Sequence, residues 1–125
     1  MLRNGEDNEL LSAFAEDIQD AGTRQAYEYL VGWGVSSKKY ECFARAKGYI
    51  NDVRFLHGDD WHFAFIPNQK WLLFYFRRPC LHLPKYSRNA ITEWFPSAQE
   101  NNQGEFTSRI STIEDAIRIG RYVDS

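Results

Sequence analysis

The chain has 125 residues, the length of one domain, with 43% hydrophobic and 16% aromatic residues and a formal net charge of −2. That acidic balance argues against a general nucleic-acid coat protein, and two cysteines are too few for a disulfide-stapled secreted scaffold. Nine Phe, seven Tyr and four Trp exceed what a core needs, so some rings are expected in a pocket or an interface.

The first twenty residues are acidic and lack the basic-then-apolar pattern of a signal peptide. The longest mostly apolar run, Trp71–Phe76, is far short of the roughly 20 residues of a membrane span. The expectation is a soluble cytoplasmic protein with no membrane partner, with Cys42 and Cys80 as free thiols.

Residues 1–8 are polar and are expected to fray. Leu10, Leu11, Phe14, Ala15 and Ile18 recur at helical spacing and predict an amphipathic helix over about 8–21, stopped by Gly22. Thr23 is suited to cap a second helix, Arg24–Val31, which Gly32-Trp33-Gly34 should end. Trp33 is expected to plug the protein's own core rather than anchor a partner.

Strands follow at Tyr40–Ala46 and Tyr49–Leu56. His57-Gly58-Asp59-Asp60 reads as a turn, because Gly supplies positive φ and Asp tolerates turn geometry. A third strand, Trp61–Ile66, should place Trp61, Phe63 and Phe65 on one face and His62, Ala64 and Ile66 on the other. A fourth, Lys70–Arg77, is apolar on both faces and predicts a central strand covered on both sides, by the N-terminal helices or a second subunit. Pro79 and Pro84 bracket a loop or edge strand. Ser87–Phe95 reads as a short helix, Ser97–Gly104 as a polar loop, and Glu105–Ile110 as a fifth strand. Thr112 with Glu114 and Asp115 is a helix-start pattern opening a final helix. The order ααββββαβα indicates one α+β domain over residues 1–125: an antiparallel sheet of four to five strands with N-terminal helices and a C-terminal helix.

Charge is segregated along the chain. Residues 61–92 contain Lys70, Arg77, Arg78, Lys85 and Arg88 and no acid at all, between acidic ends. Aromatic residues are interleaved with these cations, a composition suited to an anion or a flat ring system. Arg77, Arg78, Lys85 and Arg88 are the candidate charge contacts, with Tyr86 and Trp61 as candidate stacking groups. The competing account is that these cations rim an aromatic core and pair with the acidic ends.

Other constellations are thinner. His57, Asp59, Asp60 and His62 have metal-ligand chemistry, yet no spacing supplies a further ligand, and a turn wants Gly and Asp for backbone reasons alone. Cys80 and His82 would share a face if they lay on a strand, which would put a nucleophile beside a base. Asp59, Asp60 and Lys70 stand in a loosely nuclease-like order without the expected second acid. No Gly-x-Ser-x-Gly, phosphate-binding glycine loop, Rossmann glycine pattern or Cys-x-x-Cys occurs, and no cofactor is implied.

The sequence therefore predicts a small non-enzymatic binding module for an anionic or aromatic ligand: a nucleic acid, a nucleotide or an acidic partner. The alternatives are a homodimeric interaction protein and a metal-dependent hydrolase at residues 57–62.

Overall fold

In the computed structural model, which describes residues 1–125, the N-terminal periodicity becomes α1 (Asp7–Asp17) and α2 (Ala21–Ser36). The first helix ends earlier than predicted because Ile18 turns extended. Gln19 and Asp20 then both donate their backbone N–H to the Gln69 carbonyl, each at 3.0 Å. Asp20, not Thr23, caps α2: its carboxylate accepts from the Thr23 N–H at 2.9 Å. Gly22 lies inside the first turn of α2, and Gly32-Trp33-Gly34 continues it rather than ending it. Gly34 is there for close packing, since a Cβ would collide with the Phe55 ring beneath the helix.

Residues 1–8 are held more firmly than predicted. The Cys42 N–H donates to the Met1 carbonyl, the Arg3 N–H to the Cys42 carbonyl, and the Asp7 carboxylate accepts from the buried Ala44 N–H.

Six strands build one antiparallel sheet: β1 (Glu41–Lys47), β2 (Ile50–His57), β3 (Asp60–Pro67), β4 (Leu72–Phe76), β5 (Gln99–Glu100) and β6 (Phe106–Ile110), in spatial order β1-β2-β3-β4-β6-β5. The two-residue β5 lies in the segment predicted as a polar loop. Gly58, at φ 64°, supplies the positive φ of the β2–β3 turn. After β4 the segment predicted as loop or edge strand forms a short helix α3 (Arg78–Leu81) and one 3-10 turn at Pro84–Tyr86. Each has a proline in its first turn, where the missing N–H is not needed. Then come α4 (Arg88–Trp94), capped by Ser87, and α5 (Ile113–Asp124), capped by Thr112. The fold is α+β, as the element order indicated.

One face of the sheet carries the core. Val53 pairs with Phe65, Phe55 with Phe63, Phe63 with Phe76, and Phe76 with Phe106, and all five phenylalanines are buried. The helices add Leu11, Phe14, Leu30, Ile91 and Ile119 to the same cluster. At its centre Phe63, Phe76, Tyr86 and Tyr122 contact ring to ring, with centroids 5.2–6.2 Å apart. Trp33 packs on Phe55 and donates its indole N–H to Asp124, so it serves its own core. No helix in the fold is long and apolar enough to cross a membrane.

The opposite face has no helix over it. Phe43, Arg54, Ala64, Tyr75 and Thr107 form one cross-strand row there. The strand predicted to be covered on both sides is covered on one. Leu72, Phe74 and Phe76 of β4 are buried, while Leu73 and Tyr75 are only half-buried.

Candidate functional site

A β-bulge decides what the open face presents. Between Phe55 and Leu56 the β2–β3 register shifts, so Phe55 pairs with Phe63 but Leu56 pairs with Trp61, and His62 is the extra residue. Trp61 is thereby turned away from Phe63 and Phe65, and His62 turned inward with them. This reverses the strict alternation that the sequence predicted. His62 packs against Tyr40 and Phe63, and Trp61 lies among arginines on the open face.

The Arg54 and Arg77 guanidinium carbons lie 3.5 and 3.6 Å from the centroid of the Trp61 ring. Two groups can approach one ring this closely only from opposite sides, so the indole is sandwiched between two cations. Each arginine is also tied to an acid. Arg54 reaches both oxygens of Asp52, at 3.2 and 3.3 Å, and Arg77 Nε reaches Glu105 at 2.9 Å. Asp52 is buried and accepts a third bond, 3.3 Å long, from Arg45, its direct cross-strand partner. Arg77 further donates to the Trp61 carbonyl at 3.2 Å, which fixes the ring's backbone to its own stacking partner.

Between these groups and the apolar side chains of Ile50, Ala64, Ile66 and Tyr75 lies a cavity of about 230 Å³. Burial, reinforced by the charge of Glu105, raises the Tyr75 phenol above its ordinary value, so it is neutral at pH 7. Burial lowers Arg54 despite its contact with Asp52. Three guanidiniums meet two carboxylates, which leaves one positive charge over. Two buried donors at this site, Arg45 Nε and Trp61 Nε1, have no hydrogen-bond partner. A larger groove, about 450 Å³, lies between the end of α1 and the β3–β4 turn. It is lined by Glu16, Asp17 and neutral polar groups and offers no cation and no ring beyond Phe14.

The predicted contact residues do not gather in one place. Trp61 and Arg77 belong to the open face. Arg78 is exposed and donates to the Gln103 carbonyl at 2.6 Å. Arg88 pairs with Glu100 and covers Phe106. Lys85 donates to the Val123 and Ser125 carbonyls, 2.7 and 2.6 Å away, at the C-terminal end of α5, where a cation complements the helix dipole. Tyr86 is buried in the aromatic core, out of reach of any ligand on the surface. Pairing with the acidic ends, the competing account of these cations, is what Arg77 with Glu105 and Arg88 with Glu100 display.

The metal-like segment does not converge either. No group of three or more His, Cys, Asp or Glu side chains is placed to hold a metal. His57 and His62 are 5.9 Å apart between ring centroids, His57 Nδ1 faces the Lys39 carbonyl, and Asp59 in the turn and Asp60 at the start of β3 are exposed. Burial, with His57 adding to it, lowers the His62 pKa. Cys80 and His82 are in and just after α3 instead of on a strand, and burial pushes the Cys80 thiol up to about 12, away from nucleophilic use.

Arg45, Arg54, Asp52, Tyr75 and Glu105 were not among the predicted site residues. For the first three the signal was the alternation Phe43-x-Arg45 and Asp52-x-Arg54 on neighbouring strands, which puts charges on one sheet face. Contiguous charge counting hides it, because acids and bases nearly cancel over residues 21–60. No protein-family model, curated protein or solved structure matches this chain.

Proposed function

We propose that this protein is a non-catalytic binding module whose ligand is anionic and docks on the open face of the sheet. The observation that carries this reading is the Arg54–Trp61–Arg77 sandwich beside a cavity on a face that no helix covers. Three guanidiniums in one row of strands offer forked donors to a carboxylate or phosphate oxygen. Their positions are set by Asp52, Glu105 and the Trp61 ring, so little ordering is left to the ligand. Because both sides of Trp61 are already taken by cations, its role is to hold the arginines rather than to stack on a base. That favours a compact anion over a single-stranded nucleic acid, which reads bases by stacking.

The test is Trp fluorescence and thermal shift against a panel of organic anions at about 50 and 200 mM salt. Binding should weaken as salt rises. It should fall at least tenfold in Arg54→Gln and in Arg77→Gln, and stay unchanged in Arg78→Ala combined with Arg88→Ala. Binding lost in the second variant and kept in the first two would move the site to the α3–α4 region and end this proposal.

A further inference from the structure

We infer that the cavity on the open face accepts a small organic monocarboxylate: one negative charge on an apolar body about the size of a single aromatic ring. This rests on the binding role proposed above and names its ligand class.

Four features of the cavity point the same way. Donors outnumber acceptors there: three guanidiniums meet two carboxylates that already accept from them, and Arg45 Nε and Trp61 Nε1 have no partner. A site with more donors than acceptors is completed by a ligand that brings acceptor oxygens. The charge is the second feature. Three arginines against Asp52 and Glu105 leave one positive charge, which one carboxylate neutralises. A phosphate monoester carries about −1.5 to −2 at neutral pH and would meet repulsion from Asp52 and Glu105.

Size is the third. About 230 Å³ exceeds the roughly 150 Å³ that encloses benzene in an engineered cavity, and falls short of the ~300 Å³ where drug-sized pockets begin. The fourth is the lining. Ile50, Ala64, Ile66 and Tyr75 supply apolar lining beside the guanidiniums, and Ile50 is 54% exposed next to the fully exposed Tyr49. A bare inorganic anion would leave that lining wet, whereas an apolar body covers it. Both sides of the Trp61 ring are occupied, so the body lies against these apolar side chains and the carboxylate faces the guanidiniums.

The indole N–H of Trp61 provides a direct readout. In a ¹⁵N-labelled sample its resonance, assigned by its loss in Trp61→Phe, is followed while benzoate, acetate, benzyl alcohol and phenyl phosphate are added in turn. The expected result is a saturable shift with benzoate, at least tenfold weaker with each of the other three. Asp52→Asn, which raises the site's charge, should narrow the gap between phenyl phosphate and benzoate at least tenfold, provided its spectrum retains native dispersion. Phenyl phosphate binding as tightly as benzoate to the unaltered protein would overturn the carboxylate assignment while leaving an anion site on this face. Acetate equal to benzoate would overturn the apolar body in the same way. Benzyl alcohol equal to benzoate would overturn the need for charge. No shift with any of the four would overturn this inference, and salt-sensitive binding of a larger anion lost in Arg77→Gln would still uphold the broader binding role.

Discussion

The two faces of the sheet are made from the same strands and use their rings in opposite ways. On the helix-covered face, Phe63, Phe74, Phe76, Tyr86 and Tyr122 pack ring against ring at almost no exposure. On the open face, Trp61 packs against two guanidiniums and Tyr75 borders a cavity. Rings sealed from water gain most from dispersion and area removed from solvent. Half-exposed rings gain more from cations, which keep their hydrogen bonds while covering an apolar surface. The sealed rings therefore lie on one face and the cation-packed rings on the other.

The sharpest way to break this comparison is to shave one ring from each face. Phe76→Ala should cost about 3–5 kcal/mol, as large-to-small changes in aromatic cores do. Tyr75→Ala, its neighbour on the other face, should cost about 1 kcal/mol. Urea unfolding of both variants measures the contrast, and equal losses would mean that the open face is as much a core as the covered one.

A smaller effect tests how tightly the helices close the covered face. Gly34→Ala puts a methyl group into the Phe55 ring and should destabilise by roughly 1–3 kcal/mol. Gly32→Ala meets nothing within 4 Å on the outer side of the same helix and should stabilise by up to about 1 kcal/mol. If the two changes had the same sign, close packing of α2 on β2 would not be what requires a glycine at position 34.

The smallest expected effect concerns His62, which the bulge sends to the covered face with Tyr40, near His57, Asp60 and Lys39. Its folded pKa lies below the ordinary value of 6.5, so the unfolded chain binds the proton more readily. The stability contributed by neutral His62 is fully present above about pH 6.5 and is lost as pH falls through that value toward the folded pKa. Thermal unfolding between pH 7.5 and 5 should show this decline, and His62→Phe should flatten it. An unchanged slope in that variant would assign the decline to other groups.

Local patterns were enough to read much of the fold. The period of Leu11, Phe14 and Ile18, the Ser87 and Thr112 caps, and the Gly58 turn are all set by neighbours within a few residues. The two ends of α2 were misread because glycine weakens a helix without forbidding it: Gly22 lies in its first turn and Gly34 in its last. At Gly34 the close approach of Phe55, over 20 residues away in sequence, outweighs that weakness. The segment after β4 was misread because prolines mark helix starts as readily as they mark loops.

The site was less legible than the fold. Trp61 and Arg77 were visible as part of a basic, aromatic run. Their partners Arg45, Asp52, Arg54 and Glu105 come from three other stretches of chain, and no contiguous count of charge connects them. Lys85, Tyr86 and Arg88 stand in the same run and are drawn elsewhere, to the end of α5, to the core and to Glu100.

What the sequence determined by itself was class and supply: an α+β fold, strands rich in rings, and an acid-free centre between acidic ends. These follow from short-range preferences and composition, which require no knowledge of what lies opposite. Only the tertiary structure decided which face each ring joined and which charges met. A single extra residue at His62 shifts the register of β3 against β2, and a one-residue shift in a strand exchanges its faces. That exchange placed Trp61 between Arg54 and Arg77, a contact decided by strand pairing and invisible in any one segment.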